Sequence, residues 1–353
     1  MAETTAPTPW RTIVLTLVAL TVGVSIVVLA FIWPAVVSKP QSIPVSLTGT
    51  GEQVSTVSKA IQASSGGRID LQGADTRAEA VELIKHRETL GAIVLGQQPE
   101  VLVTSAGSPI VAQLLTSLAG QLQGAANAAA QAQAAAAGGE APVVVVTVTD
   151  VVPLAATDER GAGLTASAFP LVIAGFLGGL IIALLVRGRT RRLVAVLAFS
   201  VLMGTALTLI LQTWLGILQG GFALNLVAVS LLIASMVAFI VGAHSTLGRP
   251  GLPIGVATIM LIANPISAAA QPVQFLPLPW GAIGQLFPPG AGLTLLRDLS
   301  YFPEANSLTA SWLVLAGWSV VSLALVALGL RAQRDEPTAS GAESSPVDAA
   351  ATA

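Results

Sequence analysis

The sequence predicts an α-helical polytopic membrane protein with six transmembrane helices and an inserted α/β extracytoplasmic domain. The 353 residues are 54% hydrophobic and only 10% charged, and the mean hydropathy of +0.80 lies above the range of soluble chains. Six long hydrophobic stretches occur along the chain, and the more polar residues 34–167 separate the first stretch from the other five. This arrangement predicts one large water-facing domain after the first membrane span.

The first predicted span covers residues 12–33 and follows residues 1–11, which form a short cytoplasmic N-terminus. About 20 apolar residues suffice to cross the hydrocarbon core. Trp10 and Trp33 flank the run, as is typical of membrane interfaces. A secretory signal peptide normally has a shorter apolar region followed by a small-x-small cleavage site, which this run lacks. We therefore expect an uncleaved anchor.

Five further spans are predicted, and four of them form a group over residues 168–270. The spans cover residues 168–186, 193–214, 222–243, 252–270 and 311–330. The basic residues beside the spans fall mainly on one side of this topology, namely Arg11, Arg187, Arg189, Arg191, Arg192, Arg249, Arg331 and Arg334. Because basic flanks are usually cytoplasmic, both termini are predicted on that side, with residues 331–353 as a disordered tail.

The inserted domain, residues 34–167, alternates strand-like and helix-like stretches. This alternation predicts a small α/β fold, because helices must cover the faces of a sheet. Strands are predicted at residues 43–47, 67–71, 91–95 and 101–104, and helices at 55–63 and 76–86. Residues 108–137 are mostly Ala, Gln, Leu and Gly, which favours a helix but leaves a partly disordered linker open. Residues 143–148 form a β-branched run typical of a strand.

Residues 271–310 are too apolar for a free surface loop and too interrupted by proline for a spanning helix. We expect a re-entrant or interfacial pair of short helices that packs on the bundle near its outer end. Pro288, Pro289 and Gly290 punctuate this segment, and a second helix continues to Tyr301. Arg297 and Asp298 are adjacent, so they cannot face each other on that helix, and each needs another partner or water.

The link between the second and third spans, residues 187–192, contains four arginines: Arg187, Arg189, Arg191 and Arg192. We call it the arginine link. One interpretation is a topology signal that pairs with lipid phosphates. A second is a docking surface for a cytoplasmic partner, because guanidinium groups bind carboxylates in bidentate fashion. Both can hold together.

Polar residues inside the spans are the other candidates for function, since such residues are costly in a membrane. Gln212, Asn225 and Asn264 are possible path-lining residues. Asp and Glu do not occur inside the predicted spans, which weakens a proton-driven transport mechanism.

Several functional classes are disfavoured by what the sequence lacks. The chain has no cysteine, which excludes thiolate metal sites, and a net charge of −2 argues against nucleic acid as a partner. The sequence shows neither a catalytic carboxylate pair nor a nucleophile motif, and it has no Gly-x-x-x-x-Gly-Lys-Ser/Thr loop for ATP. We therefore expect no enzyme activity, cofactor or metal site in this chain.

Two stretches carry a resemblance to a known family: Asp158-Glu-Arg-Gly-Ala-Gly163 and Phe287-Pro-Pro-Gly-Ala-Gly-Leu-Thr-Leu-Leu-Arg-Asp-Leu-Ser-Tyr-Phe302. With the predicted topology, they resemble type-2 ABC exporter permeases, and in particular the phage-infection-protein-like bacterial membrane proteins. The chain departs from these in its very short amino-terminal segment before the first span.

The resemblance implies a permease subunit in the bacterial plasma membrane, paired as a homodimer or as a heterodimer with a similar permease. It also implies that a separate cytoplasmic ATP-binding subunit couples through the arginine link and drives an amphipathic or envelope-related substrate outward. The alternative is a non-transporting envelope protein, held in the lipid bilayer, whose extracytoplasmic domain binds cell-wall, phage or protein partners.

Overall fold

The structure is a computed structural model that describes residues 9–269 and 271–332. Among these residues, five helices are long and apolar enough to cross a membrane, which indicates a membrane-embedded protein. They are α1 (Trp10–Val37), α5 (Ala162–Leu185), α6 (Arg189–Thr208, continued by a π-helical turn over Leu209–Trp214), α7 (Phe222–Leu247) and α11 (Ser307–Ala332).

A five-stranded sheet lies between α1 and α5 in the sequence. Its strands are β1 (Ile43–Thr48), β2 (Ile69–Gly73), β3 (Gly91–Val94), β4 (Glu100–Val103) and β5 (Thr147–Asp150), in the spatial order β2-β1-β3-β4-β5. β1 is parallel to both β2 and β3, and β4 is antiparallel to β3. Three helices accompany the sheet: α2 (Gly51–Ser65), α3 (Arg77–Lys85) and α4 (Pro109–Ala137). We call residues 42–152 the sheet unit.

The predicted strands and helices of the sheet unit occur close to where the sequence places them, with one difference. The helix favoured for residues 108–137 is confirmed as α4 (Pro109–Ala137), which Ser108 caps by accepting a hydrogen bond from the Val111 amide. The β-branched run at residues 143–148 is only partly a strand. The amides of Val144 and Val146 donate to Asn127 and Gln123 of α4, so β5 begins at Thr147 instead.

The helix bundle is built around α7, which packs against α5, α6 and α11 and against a shorter helix, α10 (Pro288–Tyr301). Because neighbours surround it, α7 is apolar on nearly all sides. Glycines of α5 allow close approach: a Cβ at Gly175 would lie 2.6 Å from Met236, and one at Gly179 would lie 2.9 Å from Ile240. These glycines therefore allow α5 and α7 to pack closely.

The helix α1 is the exception in this bundle, since its most apolar stretch contains no buried residue. It meets the other helices near the end that adjoins the sheet unit. There Trp33 makes an edge-to-face contact with Trp280, with ring centroids 6.3 Å apart. The apolar sides of α1 are therefore covered by lipid or by another chain, not by this bundle.

The predicted span at residues 252–270 does not form a span-length helix. The chain forms seven α-helical residues, α8 (Gly251–Ala257), followed by six π-helical residues (Thr258–Ala263). A helix of this length covers about 20 Å, whereas the hydrocarbon core is about 30 Å thick. Pro265 follows Asn264 and disfavours helix there. The prediction of six span-length helices is thus not confirmed.

Two short helices follow, α9 (Trp280–Gly284) and α10 (Pro288–Tyr301). α10 begins beside the middle of α11, where the Trp318 Nε1 donates to the Leu286 carbonyl over 2.8 Å. Trp318 lies about 16 Å along α11 from its first residue, Ser307. α10 then ends next to the start of α11, so it runs from inside the bundle towards the sheet unit.

Candidate functional site

The sheet unit and the helix bundle are joined by the turn that follows α3. This docking turn, residues 86–88, contacts the loop between α10 and α11. The Asn306 amide donates to the His86 carbonyl over 3.2 Å, and the Asn306 side chain donates to Glu88 Oε1 over 2.8 Å. His86 Nδ1 lies 2.6 Å from the Glu304 carbonyl. The backbone of Arg87 has a positive φ of 59°, in the left-handed region that regular helices and strands do not use.

Asp298 is at the centre of this contact and its side chain is fully buried. One carboxylate oxygen accepts from Arg87 Nη1, and the other accepts from Ser307 Oγ over 2.6 Å. The Arg87 guanidinium also lies 5.3 Å from the centre of the Phe302 ring, a cation–π contact. The buried carboxylate of α10 therefore depends on a cation from the sheet unit for its compensation.

Sequence reasoning recognised that Asp298 needs a partner but did not find Arg87. The two residues are 211 positions apart, and Arg87 stands in an ordinary charged turn with no distinguishing spacing. Covariation between the two positions is the kind of signal that would reveal such a pair.

Further contacts strengthen the attachment. The Lys39 amide donates to the Phe275 carbonyl over 3.1 Å, and the Phe275 side chain is buried in the core of the sheet unit. A small apolar cluster forms between Ala106, Phe302 and Ala305. The sheet unit thus rests on the bundle at more than one place.

Beside the docking turn lies a cavity of about 330 Å³, which we call the joint cavity. Arg297 and Tyr301 of α10 line it, together with Asp158 and Arg160 from the segment before α5. One oxygen of Asp158 accepts from the Gly163 amide over 2.9 Å. Burial raises the pKa of Tyr301, so its phenol is neutral near pH 7. The cavity contains more positive than negative side chains.

The partner of Arg297 that sequence reasoning expected is not found within the cavity. Its guanidinium forms no hydrogen bond or ion pair with any group of residues 9–269 and 271–332. The Asp298 carboxylate next to it is already occupied on both oxygens. Arg297 is therefore a partly buried cation available to a ligand.

The arginine link divides into two kinds of residue. Arg187, Arg189 and Arg191 are exposed, whereas Arg192 is 6% exposed. The Arg192 guanidinium donates to the carbonyls of Val186 (2.8 Å) and Ala183 (3.1 Å) and to Ser245 Oγ (2.9 Å). It therefore satisfies carbonyls at the end of α5 and ties α5 to α7. Only the other three can present charge to a partner or to lipid.

The predicted path-lining residues do not share one surface. Gln212 and Asn225 contact each other, with Asn225 Nδ2 donating to Gln212 Oε1 over 2.9 Å, and Asn225 is fully buried. They hold the turn between α6 and α7, since Gln212 also donates to the Gly220 carbonyl. Asn264 lies elsewhere and borders a cavity of about 270 Å³ between α1 and α5.

The two prolines of the Phe287–Phe302 stretch begin α10. Pro288 and Pro289 occupy its first two positions, where a missing amide donor costs nothing. Gly290 permits close approach, because a Cβ there would lie 2.2 Å from the Gly284 carbonyl of α9. All three are buried, so they shape the joint between α9 and α10 and present no surface to a ligand.

One group of possible metal ligands occurs near the docking turn: Glu82, His86 and Glu304, whose ligand atoms lie within 4.8 Å of one another. His86 Nδ1 already faces the Glu304 carbonyl. Both carboxylates are exposed, as is common for surface acids without a metal.

No protein-family model, curated protein or solved structure significantly matches this chain. The functional argument therefore rests on the geometry just described.

Proposed function

We propose that the chain is the membrane subunit of an exporter, driven by a separate ATPase, in the bacterial plasma membrane. In this proposal both termini are cytoplasmic, the sheet unit is extracytoplasmic, and an amphipathic or envelope-related substrate moves outward. The observation that carries the proposal is the buried contact between Arg87 and Asp298. It connects the sheet unit directly to α10, a helix that begins inside the bundle.

The path of the chain supports six crossings although only five helices have full length. Gly251 lies against Ala243 near the end of α7, since a Cβ there would be 1.9 Å from the Ala243 carbonyl. Residue Phe275 lies in the core of the sheet unit, beyond the opposite end of the bundle. The chain therefore passes along the bundle between these residues, as a short helix and an irregular segment. α9 and α10 then form the re-entrant pair.

A mechanical route connects the two ends of the molecule. The arginine link lies between α5 and α6, and both helices pack on α7. α7 in turn packs on α10, which holds Asp298. A force applied by an ATPase at Arg187, Arg189 and Arg191 can thus reach the docking turn through packed helices. In the proposed dimer, the uncovered sides of α1 are available to the second permease.

The test is the association of the purified chain with a co-expressed phosphate-loop ATPase, measured as ATP hydrolysis by the reconstituted complex. Reversing the charge with Arg189→Glu and Arg191→Glu is expected to abolish association, because both guanidiniums are exposed. Arg249→Glu is the matched control, since Arg249 is also exposed but lies outside the link. If the double variant binds and stimulates the ATPase like the wild type, coupling through the link is wrong.

The non-transporting envelope protein remains a second candidate because the sheet unit has a cavity of its own. This cavity of about 400 Å³ lies between α2 and α4 and includes Arg68 and Gln113. Under this alternative, Gln113→Trp abolishes partner binding, whereas reversal of the arginine link has no effect. The opposite pattern favours the exporter.

A further inference from the structure

We infer that the joint cavity binds the anionic headgroup of an acidic phospholipid, with Arg297 as the main contact. The inference rests on the proposed function in one respect: if the chain is an exporter, acidic phospholipids are its substrate class. Binding itself needs neither an ATPase nor transport, so it can be measured on the chain alone.

The charges of the cavity favour an anion. Arg297 forms no hydrogen bond or ion pair among the described residues, and the carboxylate next to it in sequence, Asp298, already binds Arg87 with one oxygen and Ser307 with the other. Arg160 adds a second guanidinium to the wall. Asp158 is the opposing charge, and one of its oxygens is engaged by the Gly163 amide. The surplus is therefore positive, and a guanidinium fits a phosphate through two parallel hydrogen bonds.

The backbone at the cavity adds to this preference. Ser108 and Pro109, which begin the 29-residue helix α4, both line the wall. The positive end of a helix dipole favours a negative charge nearby. This contribution is secondary to that of Arg297, because a guanidinium carries a full charge and a helix terminus only about half of one.

The remaining wall suits the apolar part of a lipid. Ile110, Leu154 and Leu164 line the cavity beside the charged groups. Leu164 belongs to the first turn of α5, a helix of span length, so the cavity lies at the level where that helix enters the membrane. A volume of about 330 Å³ accommodates a headgroup but not a whole phospholipid. The acyl chains therefore continue along the apolar outside of α5.

The experiment measures binding of short-chain phosphatidylglycerol to the purified full chain in a non-ionic detergent, below the lipid's own micelle concentration. Phosphatidylcholine of the same chain length and inorganic phosphate are compared. We expect phosphatidylglycerol to bind at least tenfold more tightly than either. Equal affinity for the two lipids overturns the proposal. If inorganic phosphate binds as tightly as phosphatidylglycerol, the cavity is a general anion site and not a lipid headgroup site, and the proposal is overturned as well.

Variants locate the site. Arg297→Gln is expected to weaken phosphatidylglycerol binding at least tenfold, because a charge-assisted contact is lost. Arg249→Gln, the same change at an exposed position outside the cavity, is expected to bind as the wild type does. Equal effects of the two substitutions overturn the assignment.

A second variant guards against misfolding of Arg297→Gln. Ala166 lines the cavity with an exposed side chain, so Ala166→Phe narrows the space without removing a charge. It is expected to weaken phosphatidylglycerol binding while the thermal unfolding midpoint stays unchanged, and unaltered binding contradicts the proposal. If lipid binds as expected but no ATPase associates with the chain, the site stands and the exporter proposal fails.

Discussion

Replacing Arg87 by alanine tests the attachment of the sheet unit to α10. The substitution leaves the Asp298 carboxylate buried without its cation, with only Ser307 as a partner. Removing one member of a buried ion pair costs about 3–5 kcal/mol. The cation–π contact with Phe302 is lost at the same time and contributes about 1 kcal/mol. We therefore expect Arg87→Ala to lower the free energy of unfolding by several kcal/mol and to free the docking turn.

The assay is unfolding by SDS titration in mild detergent, combined with hydrogen exchange of the amides near residues 86–88 and 302–307. Arg77→Ala is the matched control, because Arg77 belongs to the same sheet unit and forms an ion pair with Glu100. The Arg77 side chain is 51% exposed, whereas that of Arg87 is 18% exposed. Because solvent reaches Arg77 and screens the pair, we expect the control to cost less stability than Arg87→Ala.

A double variant separates the loss of the cation from the loss of side-chain packing. Adding Asp298→Asn to Arg87→Ala removes the uncompensated charge, so part of the lost stability is expected to return. The reasoning is refuted if Arg87→Ala is no more harmful than Arg77→Ala, or if Asp298→Asn makes the Arg87→Ala protein still less stable.

Three other predictions follow from individual contacts. Arg192→Ala is expected to lower the free energy of unfolding by about 1–3 kcal/mol in SDS titration, because it leaves buried carbonyl groups unsatisfied. Arg191 is exposed, so Arg191→Ala is expected to stay within about 0.5 kcal/mol of wild type. Equal effects of the two substitutions contradict the structure. The hydrogen bond from Arg77 lowers the pKa of Glu100. The stability that this bond contributes is therefore fully present above the unfolded pKa of Glu, about 4.3, and is lost as the pH falls through the lower pKa of the folded state. Glu100→Gln is accordingly less stable than wild type at pH 7, and this difference in unfolding temperature disappears in acid; a difference that grows in acid argues against it. Gly284→Ala places a Cβ 1.8 Å from the Ile266 carbonyl, and we expect it to lower the free energy of unfolding by about 1–3 kcal/mol. Gly317→Ala is the control in the same unfolding measurement, because a Cβ there meets nothing within 4 Å.

The apolar helices and most of the sheet unit follow from local sequence patterns. Long apolar runs predict α1, α5, α6, α7 and α11, because the bilayer demands a minimum apolar length and a helix satisfies its own backbone. The alternation of strands and helices likewise predicts an α/β arrangement. These properties depend on neighbours in sequence and need no knowledge of distant contacts.

Other features depend on contacts that local patterns do not contain. The irregular end of the Gly251–Ala263 helix and the late start of β5 arise where side chains or prolines compete for the backbone. Among the four arginines, Arg192 turns inward because it lies within reach of the last carbonyls of α5. The sequence of the arginine link does not distinguish Arg192 from the other three arginines. The pairing of Arg87 with Asp298 likewise requires the assembled structure.

The sheet unit has two covalent connections to the bundle, residues 38–41 after α1 and residues 153–161 before α5. A body held by two short tethers keeps one easy degree of freedom, which is rotation about the line that joins them. The contact of Arg87 with Asp298, together with the other contacts between the sheet unit and the bundle, supplies support away from that line and opposes the rotation. A change that displaces the docking turn from Asp298 is therefore expected to lower the resistance to that rotation.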